Sequence, residues 1–171
     1  LNFMGNEIAQ FREWDEKREQ DWNILEYPMH NKFHRFMRDL NLVYINHPAL
    51  FKDDYKHEGF NWIDCHQEEK CIYTFERMGE NENIIAIFNF SDEYHEGYGI
   101  PMEYNTLEVL MDSSINEYGG DGKTNYRILI EEYIKYYEGG NKNDANSIIS
   151  SHKKRLISVD MKPYSAVYFI L

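Results

Sequence analysis

Apolar residues recur at helical spacing in one stretch of the chain, between residues 29 and 46. They fall at i, i+3, i+4, i+7, i+10 and i+11, which places them on one stripe of an α-helix. Pro48 follows, and proline cannot continue a helix because it lacks a backbone N–H. We therefore predict an amphipathic helix over 29–46, with an apolar stripe made of Phe33, Phe36, Met37, Leu40, Val43 and Tyr44.

Beyond Pro48 the pattern changes to short runs of β-branched and aromatic residues. Residues 60–64 and 71–75 are two such runs, and the polar residues between them predict a hairpin. Short strands about ten residues apart are typical of an antiparallel sandwich. The sequence therefore predicts an all-β domain, with further strands at 83–90, 106–111, 156–161 and 165–171.

Two stretches do not fit this simple alternation. Residues 126–137 are ambiguous, since their β-branched residues favour a strand and their charged residues suit a solvated helix. Residues 139–147 are rich in Gly and Asn, which predicts a loop. At the other end of the chain, residues 1–28 have the character of a short strand followed by a polar, aromatic-rich loop.

The first 46 residues thus form a strand–loop–helix unit that leads into β structure. A single unit of this kind cannot bury both faces of its strand. The chain also starts without Met, inside an apolar stretch. We therefore expect it to be a piece of a longer α/β protein, with a domain boundary near residues 47–55.

Composition and charge narrow the range of partners. The 171 residues are 42% hydrophobic and 16% aromatic, which is enough to build a core. With 18 Lys and Arg against 30 Asp and Glu, the net charge is −12. Nucleic acid and anionic membrane surfaces are therefore excluded as expected partners. Two cysteines and no signal peptide predict a cytoplasmic protein with reduced thiols.

Metal, phosphate and nucleophile motifs are incomplete. His30 and His34 lie one helical turn apart, but Asn31 stands where a zinc protease helix carries glutamate, so we expect two solvated histidines and no metal. The Gly-rich stretch 118–124 lacks the first glycine of a phosphate-binding loop. No cofactor is expected, and spacing alone nominates no catalytic residue.

Aromatic residues carry the clearest chemical signal. Trp14, Trp22 and Trp62 each lie among carboxylates and amides. An indole ring can cover the C–H face of a sugar while neighbouring Asp, Asn and Gln bind its hydroxyl groups. The alternative for each Trp is an amphipathic aromatic residue packed at a domain seam. A neutral glucan is compatible with the net charge of −12.

The tryptophans belong to a series of short motifs. In chain order these are Phe3-Met4-Gly5-Asn6-Glu7-Ile8-Ala9-Gln10, Glu13-Trp14, Asp21-Trp22, Asp39-Leu40-Asn41, Pro48-Ala49-Leu50, Gly59-Phe60, Trp62-Ile63-Asp64, Asn89-Phe90, Gly99-Ile100-Pro101 and Tyr118-Gly119-Gly120. In this order the chain resembles the C-terminal end of bacterial 1,4-α-glucan branching enzymes of the α-amylase family. The resemblance covers residues 1–122 and about 152–171, whereas residues 123–151 depart from the family.

The resemblance implies a catalytic (β/α)8 barrel followed by an antiparallel β-sandwich, the α-amylase-type C-terminal domain. On that template residues 1–6 resemble the last barrel strand, 7–28 its rim loop and 29–46 the last helix. Residues 1–50 would then be the terminal βα unit of a truncated barrel, and residues 51–171 the sandwich.

The same resemblance implies roles for individual residues. The active-site rim would carry Glu7, Gln10, Glu13 and Trp14, and glucan would contact Trp14, Trp22, Trp62 and Asp64. The catalytic carboxylates of the family precede this segment, so no residue here is assigned as catalytic. The whole enzyme would cleave an α-1,4-glucan and transfer the chain to a 6-hydroxyl, while this segment would be inactive alone.

Partners follow from this assignment. The segment would support the barrel and contact glucan, and without the barrel it would self-associate through residues 1–46. Two alternatives remain open. One is the C-terminal part of a related debranching or trehalose-releasing hydrolase, and the other is a free-standing carbohydrate-binding or interaction module.

Overall fold

A computed structural model describes residues 3–104, 106–135 and 150–171 of the chain. Its helix α1 spans Pro28–Asn46, and Pro28 suits the first helical turn because its missing N–H would have no partner there. The strands are β1 Phe60–Gln67, β2 Ile72–Met78, β3 Asn83–Asn89, β4 His95–Met102, β5 Glu108–Asp112, β6 Tyr126–Lys135, β7 Ser150–Met161 and β8 Ser165–Ile170.

Two antiparallel sheets form the β-domain. One has the strand order β1-β2-β3-β8-β5 and the other β4-β7-β6. Alternate residues of β2 and β8 are buried, as expected for strands with one face towards a shared core. This confirms the predicted sandwich. The core between the sheets includes Ile72, Ile85, Ile87, Ile100, Ile157, Val159, Val167 and Phe169.

The predicted helix and hairpin are also confirmed, and the ambiguous stretch is a strand from Tyr126 to Lys135. Strand β4 was missed by the sequence analysis. Its glycines and Pro101 lower the β-propensity of the segment, yet Tyr98, Ile100 and Met102 are buried at alternate positions. The loop predicted at 139–147 lies outside the described residues.

The start of the described chain corrects one prediction. Residues 3–6 do not form the expected barrel strand: the Asn6 amide donates to the Phe3 carbonyl at 2.9 Å, and a short 3-10 helix follows over Asn6–Ile8. Gly5 has φ +89°, a left-handed conformation that glycine adopts without strain. A lone strand has no ladder partner here, so the backbone closes local hydrogen bonds instead.

Helix α1 holds this N-terminal segment through its two histidines. The Nδ1 atom of His30 donates to the Ile8 carbonyl at 2.9 Å, and that of His34 donates to the Glu7 carbonyl at 3.1 Å. Both rings are half-buried rather than solvated, which corrects the expectation for them. Their ring N–H groups satisfy carbonyls that the short 3-10 helix leaves unpaired.

Contacts at two places, near Glu82 and near Tyr118, help to join α1 to the β-domain. After the helix, His47 Nδ1 and the Ala49 amide donate to the Glu82 carboxylate at 2.8 and 3.1 Å. At mid-helix, Tyr118 donates to Asp39 at 3.0 Å and packs edge-on against Phe36, with ring centroids 5.4 Å apart. In the part of the chain that is described, no helix combines the length and apolarity needed to cross a bilayer.

Candidate functional site

A cleft of about 920 Å³ opens at one end of the sandwich, between β1–β2 and the three-stranded sheet. Its floor carries the carboxylate of Glu76, which is only 8% exposed. The Oε1 atom of Glu76 accepts hydrogen bonds from Tyr104 Oη at 2.8 Å and Asn83 Nδ2 at 3.1 Å. The cleft therefore has a fixed, buried acceptor group beside apolar lining residues that include Ile63, Ile85 and Met102.

The chemistry of Tyr104 fits this arrangement. Burial raises the pKa of Tyr104 above its ordinary value, and the hydrogen bond to Glu76 raises it further. The hydroxyl consequently stays protonated at neutral pH and donates to the carboxylate. Lys153, Lys154 and Arg155 line the opposite side of the cleft on β7, so the cleft combines groups of both charges.

Trp62 lies at the mouth of this cleft and is 51% exposed. Its ring meets Phe60 and Phe75 edge-on, with centroids 5.1 and 5.9 Å away. Phe75 stacks on Phe88, and Phe88 on Phe90, each at 5.7 Å. We name Trp62, Phe75, Phe88 and Phe90 the aromatic row. Because its rings lock one another, the indole has a fixed orientation with half of its surface open to a ligand.

Asp64 does not join Trp62 on this surface. Trp62 pairs with Phe75 and Asp64 with Thr74, so an irregularity in the β1 register lies between them. Since Thr74 and Phe75 face opposite sides of β2, the bulge sends Trp62 and Asp64 to opposite faces of the sheet. Asp64 accepts a 2.6 Å hydrogen bond from Tyr98 of the other sheet, and burial together with this bond raises the pKa of Tyr98.

The residues expected at the active-site rim lie in the N-terminal segment. Gln10, Glu13 and Trp14 line a common pocket of about 450 Å³. Gln10 binds the Asp21 amide through Oε1 and the Arg12 carbonyl through Nε2, at 2.9 and 3.0 Å. This side chain therefore organises the loop around the pocket.

The remaining predicted residues of this segment have separate positions. Glu7 does not line the pocket that Gln10 shares with Trp14, and its carboxylate accepts from the Gly5 amide at 3.1 Å. Trp22 begins a second short 3-10 helix, Trp22–Glu26, and is 46% exposed. Three predicted residues are thus brought together, and Glu7 instead stabilises the turn at Gly5.

Within the described ranges no group of three or more His, Cys, Asp or Glu could hold a metal ion. The sequence analysis missed Glu76, although a signal was present: Ile72, Thr74 and Glu76 alternate along β2, which places a carboxylate on the buried face. A charged residue at a buried position of a strand indicates that its polar group has hydrogen-bond partners. For Glu76 these partners are Tyr104 and Asn83.

Residues 62–171 match the family of the α-amylase C-terminal all-beta domain. The chain belongs to this family. The match begins at Trp62 and runs through the sandwich, so it includes the aromatic row and, apart from the first two residues of β1, both sheets.

Several proteins named 1,4-alpha-glucan branching enzyme GlgB are similar to this family member. The 1,4-alpha-glucan branching enzyme GlgB of Oceanobacillus iheyensis is 37% identical over 129 residues, covering 73% of this chain and 20% of that protein. GlgB of Aquifex aeolicus is 34% identical over 172 residues, covering 98% of this chain and 25% of that protein. The chain thus spans about a fifth of the length of such relatives.

Among solved structures, the chain is similar to an α-amylase from H. orenii at 12% identity and a TM-score of 0.46. That match covers 88% of this chain and 22% of the other. A trehalulose synthase MutB mutant soaked with trehalulose is 14% identical with a TM-score of 0.44, covering 81% of this chain and 18% of the other.

Proposed function

We propose that this chain serves as the C-terminal region of a 1,4-α-glucan branching enzyme. The observation that carries the proposal is its 33–38% identity to branching enzymes over 72–87% of its length. In that reaction the enzyme cleaves an α-1,4-glucan and transfers the released chain to a 6-hydroxyl. A retaining transfer of this kind needs two carboxylates about 5–5.5 Å apart. We assign both to the barrel that would precede this chain.

The first role proposed for the chain is to support that barrel. Helix α1 contains 19 residues and none is buried, although its sequence is amphipathic. Leu42, Tyr44 and Ile45 are 47%, 46% and 63% exposed. Exposed apolar residues grouped on a helix in this way mark a site of interaction with another surface. The greater length of the branching enzymes supports a barrel as that partner.

Without the barrel, the same face would make the chain self-associate through residues 1–46. The rim role of Gln10, Glu13 and Trp14 belongs to this part of the proposal, and their shared pocket supports it. Glu7 would act through the turn at Gly5 rather than through the pocket. A cytoplasmic location is part of the same proposal, and no disulfide joins Cys65 and Cys71.

The second role is to hold glucan at Trp62. The half-exposed indole, held by Phe60 and Phe75, would cover the apolar face of a glucosyl unit. Trp14 and Trp22 would form separate contacts in the N-terminal segment. Asp64 would act only indirectly, by holding β1 against Tyr98 of the other sheet.

Affinity electrophoresis in gels with and without glycogen tests the second role. We expect glycogen to retard the 171-residue chain, and Trp62→Ala to remove the retardation because the stacking surface is lost. Trp62→Phe should keep part of it, which separates loss of stacking from loss of folding. Tyr55→Ala is the matched control, because Tyr55 is a fully exposed aromatic residue away from the cleft.

Branch formation on amylose tests the proposed activity. The assay uses the protein in which a barrel precedes this chain, and counts new chains after enzymatic debranching of the product. We expect new branch points, and none with the 171-residue chain alone. Release of reducing sugars without branches would overturn the proposal in favour of a related hydrolase. Glycogen binding by the chain alone, without any parent activity, would favour a free-standing module.

A further inference from the structure

Strand β6 is an edge strand with an unusually apolar exposed surface. In the order β4-β7-β6 its one neighbour among the described strands is β7. Ile128, Leu129 and Ile130 are 41%, 39% and 59% exposed, although they lie in consecutive positions of a regular ladder. A long apolar edge strand is a template for pairing with another strand.

One hydrogen bond shows which residues of β6 point their backbone N–H and C=O groups towards β7. The Asp160 amide donates to the Asn125 carbonyl at 2.9 Å, so residue 125 points its polar groups towards β7. The register from Tyr126↔Val159 to Lys135↔Ser150 has no shift. Since successive residues of a strand point their N–H and C=O groups to opposite sides, the even-numbered residues point away from β7. The backbone groups of Tyr126, Ile128 and Ile130 therefore face away from β7, on the side where no other described strand pairs with β6.

We infer that this edge pairs with the same edge of a second copy of the chain. In an antiparallel pair of identical strands, even residues must lie opposite even residues for their hydrogen bonds to meet. One such register places Leu129 on the two-fold axis and Ile128 opposite Ile130 of the other copy. The same register places Arg127 of each copy opposite Glu131 of the other copy, so two such pairs form.

Charge complementarity selects this register over its neighbours. A shift of one step in either direction places Arg127 opposite Leu129, or Leu129 opposite Glu131, and loses both ion pairs. Opposite charges on facing positions stabilise a strand pair, whereas like charges destabilise it. The two three-stranded sheets would then join into one continuous sheet of the form β4-β7-β6-β6-β7-β4, with edge-to-edge hydrogen bonds as in other strand-addition interfaces.

This dimer is distinct from the association proposed for residues 1–46. Helix α1 contacts β5 and the loops of the five-stranded sheet, whereas β6 belongs to the other sheet. The inference therefore does not rest on the branching activity or on glucan binding. It does require that the α1 face be made polar before the oligomeric state is measured.

Sedimentation of the full chain carrying Leu42→Gln and Ile45→Gln tests the inference. We expect a dimer that dissociates on dilution. Arg127→Glu should weaken it at least about tenfold, because two attractive pairs become repulsive. The double variant Arg127→Glu with Glu131→Arg should restore the dimer, since it only exchanges the two charges. A monomer at every concentration, or a dimer indifferent to Arg127→Glu, would overturn the inference.

A cysteine placed on the two-fold axis gives a second readout. Leu129→Cys would lie in a non-hydrogen-bonded pair, where Cα atoms are about 4.5 Å apart, a distance that suits a disulfide. We expect mild oxidation to link two copies, with residue 129 on both sides of the linked peptide by mass spectrometry. Arg127→Cys is the control, since its two copies would lie about 14 Å apart along the strands. Equal linkage by both cysteines would contradict the register.

Discussion

Helix α1 and strand β8 show how differently two regions of this chain use similar residues. Along β8, Val167 and Phe169 are fully buried between the sheets. Along α1, six apolar residues form a stripe at helical spacing, yet no residue of the helix is buried. Both segments have a periodic pattern of apolar residues, but they differ in how much of the apolar face is covered by the rest of the chain. The core face of β8 is fully covered within the chain, whereas the apolar stripe of α1 is covered only in part.

The comparison shows that an amphipathic pattern predicts a helix or a strand, but does not predict which surface will cover its apolar face. The sandwich closes its core from its own two sheets, so its stability is contained in the chain. Helix α1 depends on a few polar contacts, at Asp39, His47 and Ala49, and on the N-terminal segment. We therefore expect the two regions to respond differently to the same kind of substitution.

Truncation in the core should give the largest effect. Phe169→Ala removes a fully buried ring that lies 5.1 Å from Tyr126, and should lower the free energy of unfolding by about 3–5 kcal/mol. Ile45→Ala on α1 removes a side chain that is 63% exposed, and should change it by less than about 0.5 kcal/mol. Urea unfolding followed by circular dichroism measures both. Comparable losses for the two variants would contradict the contrast between the regions.

Loss of the contact after α1 should be the next largest effect. Glu82→Ala leaves His47 and the Ala49 amide without their acceptor, which should cost about 1–3 kcal/mol. Hydrogen exchange should show faster exchange in α1 with unchanged protection in β3 and β8. Glu80→Ala is the control, because its ion pair with Lys52 is exposed and should matter little. Equal acceleration in α1 and β8 would mean that the two regions unfold as one.

Tyr118→Phe should have a smaller effect that depends on pH. It removes the hydrogen bond to Asp39 and should cost about 0.5–1.5 kcal/mol near pH 7. Burial, aided by this bond, raises the pKa of Tyr118 to about 12, whereas the unfolded value is about 10.

The direction of the pH effect follows from these two pKa values. Below pH 10 both states keep the phenol proton and the stabilisation is complete. Between about pH 10 and 12 the unfolded state loses the proton first, so the contribution of Tyr118 decreases. The stability difference between wild type and Tyr118→Phe should therefore shrink over this range in urea titrations. A difference that grows with pH would show that this hydrogen bond does not hold α1.

Polar substitution on the exposed face of α1 should have the smallest effect on stability. Leu42→Gln with Ile45→Gln should leave the unfolding midpoint nearly unchanged, because both side chains are about half exposed or more. Light scattering should nevertheless show that large assemblies of the chain become discrete dimers, since the exposed apolar side chains of Leu42 and Ile45 are replaced by polar ones. Persistence of the large assemblies would place the association elsewhere.

The local elements were largely predictable from the sequence, for reasons visible in particular residues. The stripe from Phe33 to Tyr44 has a helical period, and the helix forms over Pro28–Asn46. The strand predicted at 156–161 is the end of β7, where Ile157, Val159 and Met161 are fully buried. Strand β4 escaped because Gly97, Gly99 and Pro101 obscure the alternation of its buried residues.

The candidate site was predictable only in part. Trp62 was singled out by its polar neighbours and does lie at a cleft. Its pairing with Asp64 could not be judged from the sequence, because spacing of two suggests one face and a β-bulge reverses that. Glu76 became visible as a site residue only when Tyr104 and Asn83, from distant parts of the chain, met it.

By itself, the sequence determined the helix, most strands, the sandwich class and the resemblance to branching enzymes, because these depend on local periodicity and on motif order. The tertiary structure decided which faces are covered, where Asp64 points, how His30 and His34 are hydrogen-bonded, and which side of β6 faces β7. The physical reason is that burial and hydrogen-bond pairing are properties of two segments at once, whereas a periodic pattern belongs to one segment.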